Sequence, residues 1–197
     1  LGHDQLHDML ARLGDVVVVA EGAAAEGLRE RGDRVIDVDD FVARARVGAT
    51  GEIPFDGDAP AVLLHTSGTT AAPKAAVLRH RHLAAYLIST VEFGGAGPDE
   101  GVLVSVPPYH VAGLANLLSN LYLGRPITYL GQFDADEWVR TVRDRSITNA
   151  MVVPTMLARV LSIIEDEGVD LTALRHLSYG GGRMPIELIE RAMKLLP

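Results

Sequence analysis

Cysteine is absent from the 197 residues, which removes disulfides, thiolate zinc sites and cysteine nucleophiles together and agrees with a cytoplasmic location. Long apolar runs are also missing. Those present, such as 16–20 and 61–64, fall far below the roughly 20 residues that a membrane-spanning helix needs, so an integral membrane protein is not expected. There is no basic excess. Lys and Arg total 18 against 26 Asp and Glu, a formal charge of −8, with no basic stripe for a phosphate backbone to exploit, and nucleic-acid binding is not expected. The opening residue is Leu1 rather than Met, and the polar stretch with His3, Asp4 and His7 does not resemble a signal peptide, so trimming at the front is expected. What is present is 48% hydrophobic and 22% charged residues, enough apolar mass for one globular domain or a large fraction of a bigger one.

The hydrophobic pattern alternates between two periods. Leu6, Met9, Leu10 and Leu13 lie at helical spacing before Gly14, and the β-branched run 16–20 then predicts a buried strand. A short helix over 23–31 and a strand over 35–38 follow, while 47–60, rich in Gly, Pro and Asp, predicts a surface connection. Next come a strand over 61–65, a polar loop from Thr66 to Lys74 and a helix over 80–91. Strands over 102–106, 127–130, 150–153 and 176–179 then alternate with helices over 114–121, 135–145, 156–167 and 186–195. This pattern predicts an α/β fold, with a largely parallel sheet covered by helices, its strands buried on both faces. Ligands on such sheets sit beyond the carboxyl ends of strands, so the loops that follow strands are the ones to inspect. The chain stops at Pro197 just after a helix, where another strand would be expected, so the carboxyl end is also expected to be cut.

The strongest chemical signal is Leu64-His65-Thr66-Ser67-Gly68-Thr69-Thr70-Ala71-Ala72-Pro73-Lys74. The hydroxyls of Thr66, Ser67, Thr69 and Thr70 and the backbone N–H groups are donors for phosphate oxygens, Gly68 permits close approach, and Lys74 supplies a full positive charge. It is not a Walker loop, because the Gly-Lys-Ser/Thr ending is missing. An ordinary Ser/Thr-rich turn has the same composition; the order of the residues argues for phosphate.

Thr-Ser-Gly-Thr-Thr followed at this interval by Pro-Lys resembles the phosphate-binding signature of the adenylate-forming superfamily, which includes acyl-CoA synthetases, luciferases and peptide-synthetase adenylation domains. Val106-Pro107-Pro108-Tyr109-His110-Val111-Ala112-Gly113 resembles the segment whose aromatic residue and histidine line the acyl pocket. Ser178-Tyr179-Gly180-Gly181-Gly182-Arg183-Met184-Pro185 resembles the glycine-rich turn beside the adenine. The likeness runs from about residue 60 to the end and, within the group, is strongest to fatty-acyl and related acyl-CoA ligases.

The resemblance implies that the chain is an incomplete large N-terminal domain of an acyl-adenylating enzyme. Residues 1–60 would be its first α/β units and connection, 61–197 the phosphate-loop, acyl-pocket and adenine-side units, and the C-terminal domain would be absent. It further implies a two-step reaction: a small carboxylic acid attacks the α-phosphate of Mg-ATP, giving acyl-adenylate and pyrophosphate, and a thiol of coenzyme A or a carrier protein then takes the acyl group. Thr66, Ser67, Gly68, Thr69, Thr70 and Lys74 would hold the β- and γ-phosphates, Tyr109 and His110 would border the acyl group, and Gly180, Gly181, Gly182 and Arg183 would wall the nucleotide. Lys74 and His110 are the catalytic candidates, and the Mg2+ ligands are expected outside this chain. No Tyr-Gly-x-Thr-Glu segment follows the last helix, and the family's ribose-binding aspartate and catalytic lysine of the C-terminal domain are not located. The 197 residues alone are therefore expected to support no carboxylate-dependent ATP–pyrophosphate exchange. Ala71 and Ala75 stand where the family usually has glycine; at positive φ, alanine would cost about 1–2 kcal/mol at either. A rival reading from those two alanines is a non-catalytic nucleotide- or acyl-binding module of the same fold.

Other clusters are weaker. His3 with His7, and Arg79-His80-Arg81-His82, lack a carboxylate or cysteine at ligand spacing, and Asp37, Asp39 and Asp40 read as a solvated group, so no metal site is expected. Ser67 and His110 do not form a hydrolase pair, because the Gly-x-Ser-x-Gly elbow is missing.

Overall fold

The computed structural model describes residues 3–14, 16–47, 55–66 and 74–196. These fall into two compact units, one within 3–55 and the other comprising 56–66 and 74–196. In the first, α1 (His3–Leu13) is followed by β1 (Val18–Ala20), α2 (Gly22–Glu30), β2 (Val35–Asp37) and α3 (Val38–Val47). β1 and β2 pair in parallel, Val18 opposite Val35, and α2 buries Ala25 and Leu28. Val17 and Val19 remain 45% and 42% exposed, so this strand is open on one face rather than buried on both. A two-stranded sheet has too little width to bury both faces. α3 begins directly after β2, where Asp37 Oδ1 accepts the Asp39 N–H at 3.0 Å.

The second unit opens with an antiparallel hairpin, β3 (Pro60–Thr66) and β4 (Lys74–Arg79), leading into α4 (His80–Thr90). Then come β5 (Val102–Val104), α5 (Val111–Leu123), β6 (Ile127–Tyr129), α6 (Ala135–Asp144), β7 (Asn149–Val152), α7 (Pro154–Glu167), β8 (His176–Tyr179) and α8 (Ile186–Leu195). The strands β6-β5-β7-β8 form one parallel sheet. The alternating α/β expectation holds here, and the hairpin is a departure from the parallel pattern. Burial on both faces holds for β5 but not for β8, which sits at the edge of this sheet with His176, Ser178 and Tyr179 exposed.

The core follows from side-chain alternation along the strands. Leu103, Ala150 and Val152 on one face meet Trp138, Val139 and Val142 of α6 and Leu157, Val160, Leu161 and Ile164 of α7. α6 starts where Asp134 accepts the Glu137 N–H at 2.9 Å, with Asp136 and Glu137 favouring the positive end of the helix. α7 starts on Pro154, whose missing N–H costs nothing there, and ends at Gly168 in the left-handed region. The opposite face of β5, Val102 and Val104, is equally buried.

A polar clamp fixes the far end of α5. Arg125 donates to Glu100 Oε2 from Nε at 2.9 Å and Nη2 at 2.6 Å, and from Nη1 to Asn120 Oδ1 at 2.5 Å. Asn120 in turn donates to the Asn116 carbonyl at 2.7 Å. The Arg125 hydrogen bonds hold the Glu100 carboxyl below its ordinary range, against the opposing effect of desolvation. A lowered folded-state value means that the pair's stabilisation is full above the unfolded value of about 4.3 and fades as the pH falls through the folded one. Glu100→Gln should therefore lower stability at pH 7 and flatten its decline between about pH 5 and 3. Denaturant midpoints of both proteins across that range are the check, and parallel curves would contradict the clamp.

Candidate functional site

β5 and β8 deliver their carboxyl ends to the same edge of the parallel sheet, with β7 between them. Two strand spacings, roughly 10 Å, separate the segments that leave them. After β5, Ser105 and Val106 stay buried. Pro107 and Pro108 then have no N–H to continue a ladder, so the chain leaves the sheet. The turn closes where the His110 N–H donates to the Pro107 carbonyl at 3.1 Å, and His110 becomes the residue before α5 in extended conformation, its imidazole making no cap hydrogen bond. Tyr109 is 70% exposed, and its ring lies 4.7 Å from that of His110 at 49°.

This turn depends on Gly113. A Cβ there would lie 2.1 Å from the Pro107 oxygen and 2.6 Å from the Val106 oxygen, so only bare backbone lets the first turn of α5 pack onto those carbonyls. Together with the Arg125 clamp at its other end, α5 is held at both ends, and the Tyr109–His110 pair is held with it.

After β8 the chain runs through Gly180, Gly181 and Gly182. The Gly180 N–H donates to the Val152 carbonyl at 3.2 Å, extending the β7–β8 pairing by one step. The three glycines have different reasons to be there. An added Cβ at Gly180 would meet Met151 Cε at 2.8 Å. Gly181 has φ +74° and would bring a Cβ to 3.1 Å from Val153 Cγ1. At Gly182 the nearest atom would be Pro154 Cγ at 3.7 Å, an ordinary contact, so the fold makes no demand for glycine at that position. Beyond it, Arg183 is exposed, Met184 is buried in the core, and residues 183–187 line a shallow cavity of about 320 Å³.

The two described ends of the hydroxyl-rich segment, Thr66 and Lys74, belong to the hairpin. Thr66, the last residue of β3, is the register partner of Lys74, the first of β4, and His65 is the partner of Ala75. The two ends of the segment are thus adjacent, and the Lys74 backbone is brought back beside Thr66. Ser67, Gly68, Thr69, Thr70 and Ala71 lie outside the described residues. Ala75 lies in the extended β4 strand, and Ser146 is the only non-glycine residue at positive φ among the described residues. Alanine at 75 therefore carries no left-handed strain, which corrects the cost considered from the sequence.

The basic cluster at 79–82 has structural uses. His82 Nδ1 accepts the Arg79 N–H at 3.2 Å at the start of α4, Arg79 donates to the Asp58 carbonyl, and Arg81 pairs with the Asp58 carboxylate. Gly113 and Met151 are the contacts that sequence reasoning did not single out. A glycine in the first turn of an apolar helix was a readable signal for the first, whereas nothing in the sequence marks the second.

The glycines give a graded expectation. Gly181→Ala should lose about 1–2 kcal/mol, Gly182→Ala should stay within about 0.5 kcal/mol, and Gly113→Ala should lose more than either, because backbone must move. Denaturant unfolding of the three variants measures the order, and a Gly182→Ala loss as large as that of Gly113→Ala would contradict it.

Known proteins share both sequence and fold with this chain. It is 29% identical over 82% of its length to 2-succinylbenzoate–CoA ligase of Bacillus licheniformis, and 34% identical over 71% of its length to the fatty acid–[acyl-carrier-protein] ligase ScoC of Streptomyces coeruleorubidus. It spans 33% and 28% of those two proteins. Among solved structures, O-succinylbenzoate coenzyme A synthetase from Bacillus subtilis, in complex with ATP and magnesium ion, superposes with a TM-score of 0.78 at 24% identity, covering 99% of this chain and 40% of that one. The profile of the AMP-binding enzyme family matches residues 1–197, and the chain belongs to that family.

Proposed function

We propose that the protein activates a carboxylic acid with ATP, forming an acyl-adenylate and pyrophosphate, and passes the acyl group to a thiol of coenzyme A or of a carrier protein. The observation that carries this reading is the Thr66–Lys74 register pair, which returns the backbone of the motif's lysine to the start of the hydroxyl-rich segment, in the same unit as the two loops at the carboxyl edge of the parallel sheet. Thr66, Ser67, Gly68, Thr69, Thr70 and Lys74 bind the β- and γ-phosphates in this reading. Negative charge grows on the leaving pyrophosphate as the carboxylate oxygen attacks the α-phosphorus, and the Lys74 ammonium and the segment's donors offset that growth.

Gly180, Gly181, Gly182 and Arg183 wall the nucleotide. The fold's lack of demand at Gly182 supports an approach of ligand to bare backbone there. Tyr109 and His110, both exposed, border the acyl group, Tyr109 offering an apolar ring face and His110 a nitrogen near the reacting carboxylate. Mg2+ carried by the triphosphate would neutralise part of its charge.

A fatty acid is the finer form of the proposal. The relatives named above include ligases of a fatty acid and of an aromatic acid, so the acid is to be settled by assay across both classes. The non-catalytic alternative has lost Ala75 as support, since that residue sits unstrained in β4.

In the full-length protein, ATP–pyrophosphate exchange should require a carboxylic acid, and Lys74→Ala should lower kcat/KM for ATP by about 10- to 100-fold, or about 1.4–2.7 kcal/mol, with little change in thermal stability. Exchange that is independent of acid, or unchanged by Lys74→Ala, would overturn the assignment.

A further inference from the structure

The side-chain directions of the three glycines are turned towards the end of β7 and the residues that follow it. Met151, Val153 and Pro154 occupy or border the places where Cβ atoms at 180, 181 and 182 would stand. The register explains why. Ala150 and Val152 face the α6–α7 core, so by strand alternation Met151 faces the other side of the sheet, with Val102 and Val104. Met151 pairs with Ser178 in register, so on that face Gly180 is its diagonal neighbour on the adjacent strand, a distance that a long flexible side chain spans. The Met151 backbone is itself fixed, because the Ser105 hydroxyl donates to its carbonyl at 3.2 Å, continuing the β5–β7 connection beyond the last paired residues. Ser178 likewise donates to the Ala150 carbonyl at 3.3 Å.

We infer that Met151 is a positioning residue for the nucleotide wall: its terminal methyl fills the volume beside Gly180 and sets how deeply the strip 180–182 sits against β7. The inference rests on the adenylation reading and adds to it a residue outside the three motifs. Two properties make methionine suited to the place. Its reach crosses one strand spacing diagonally, and its unbranched chain fills the gap beside a bare Cα without pushing on it. The strip on top of it moves with any change in that volume, and displacement of a positioning group by a fraction of an ångström is felt in binding.

A size exchange tests this in the full-length protein, using carboxylate-dependent ATP–pyrophosphate exchange and thermal melts. Met151→Ala is expected to raise KM for ATP about 3- to 10-fold while kcat changes less than about twofold. Gly180→Ala placed in the Met151→Ala background returns a methyl group to the vacated volume and is expected to recover most of that loss, although Gly180→Ala alone raises KM. Met151→Leu, which keeps an apolar side chain of similar volume on that face but falls short of Gly180, is expected to lie between wild type and Met151→Ala, and it carries the test if Met151→Ala does not fold. A KM for ATP that stays at the wild-type value in Met151→Ala or Met151→Leu, whatever the melting temperature does, overturns the inference. So does failure of Gly180→Ala to recover the loss. Wild type without acid-dependent exchange sinks the adenylation reading and this inference together, whereas an active wild type with unmoved variants sinks this one alone.

Discussion

The parallel register of β5, β7 and β8 is the constraint on which the two described loops depend. Because these strands run the same way, with Leu103 beside Ala150 and Ala150 beside Leu177, their carboxyl ends meet one edge, and every segment that leaves that edge emerges on the same side of the unit. Ser105 and Gly180 each lengthen the pairing by one polar contact, through a hydroxyl in one case and a backbone N–H in the other. The exposed turns at Tyr109–His110 and at the glycine strip thus rise from the best-packed part of the unit, where Leu103 and Val152 are fully buried. Rigid strands below and short loops above are how an α/β sheet places ligand groups accurately.

Much of this was legible from residue order. The bounds that the sequence predicts for strand 176–179 and helix 186–195 are the bounds observed, and in the helix Ile186, Ile189 and Met193 keep helical spacing. Two elements were not read. α3 lies within reach, since Val38, Phe41, Val42 and Ala45 keep the i, i+3, i+4, i+7 spacing, but Asp37, Asp39 and Asp40 read as a solvated group after a strand. β4 is Lys-Ala-Ala-Val-Leu-Arg, poor in β-branched residues; it is a strand because it pairs with β3, a tertiary cause that local propensity does not carry.

The candidate site divides in the same way. Tyr109, His110 and Gly180–Arg183 were marked by motif, and their common placement follows from sheet topology. What pattern reading does not reach is the reason for each glycine. Gly113 answers to two carbonyls, Gly180 to a methionine one strand away, Gly181 to its own backbone angle, and Gly182 to no contact of the fold. Identical letters in the sequence therefore stand for different physical demands.

Hydrogen–deuterium exchange of the full-length protein, with and without a non-hydrolysable acyl-adenylate analogue, addresses the central claim that this sheet edge is where the adenylate sits. Backbone amides in 66–75, 109–113 and 180–183 should slow together when the analogue binds. Saturating binding that leaves 109–113 and 180–183 exchanging at their unliganded rates would contradict it.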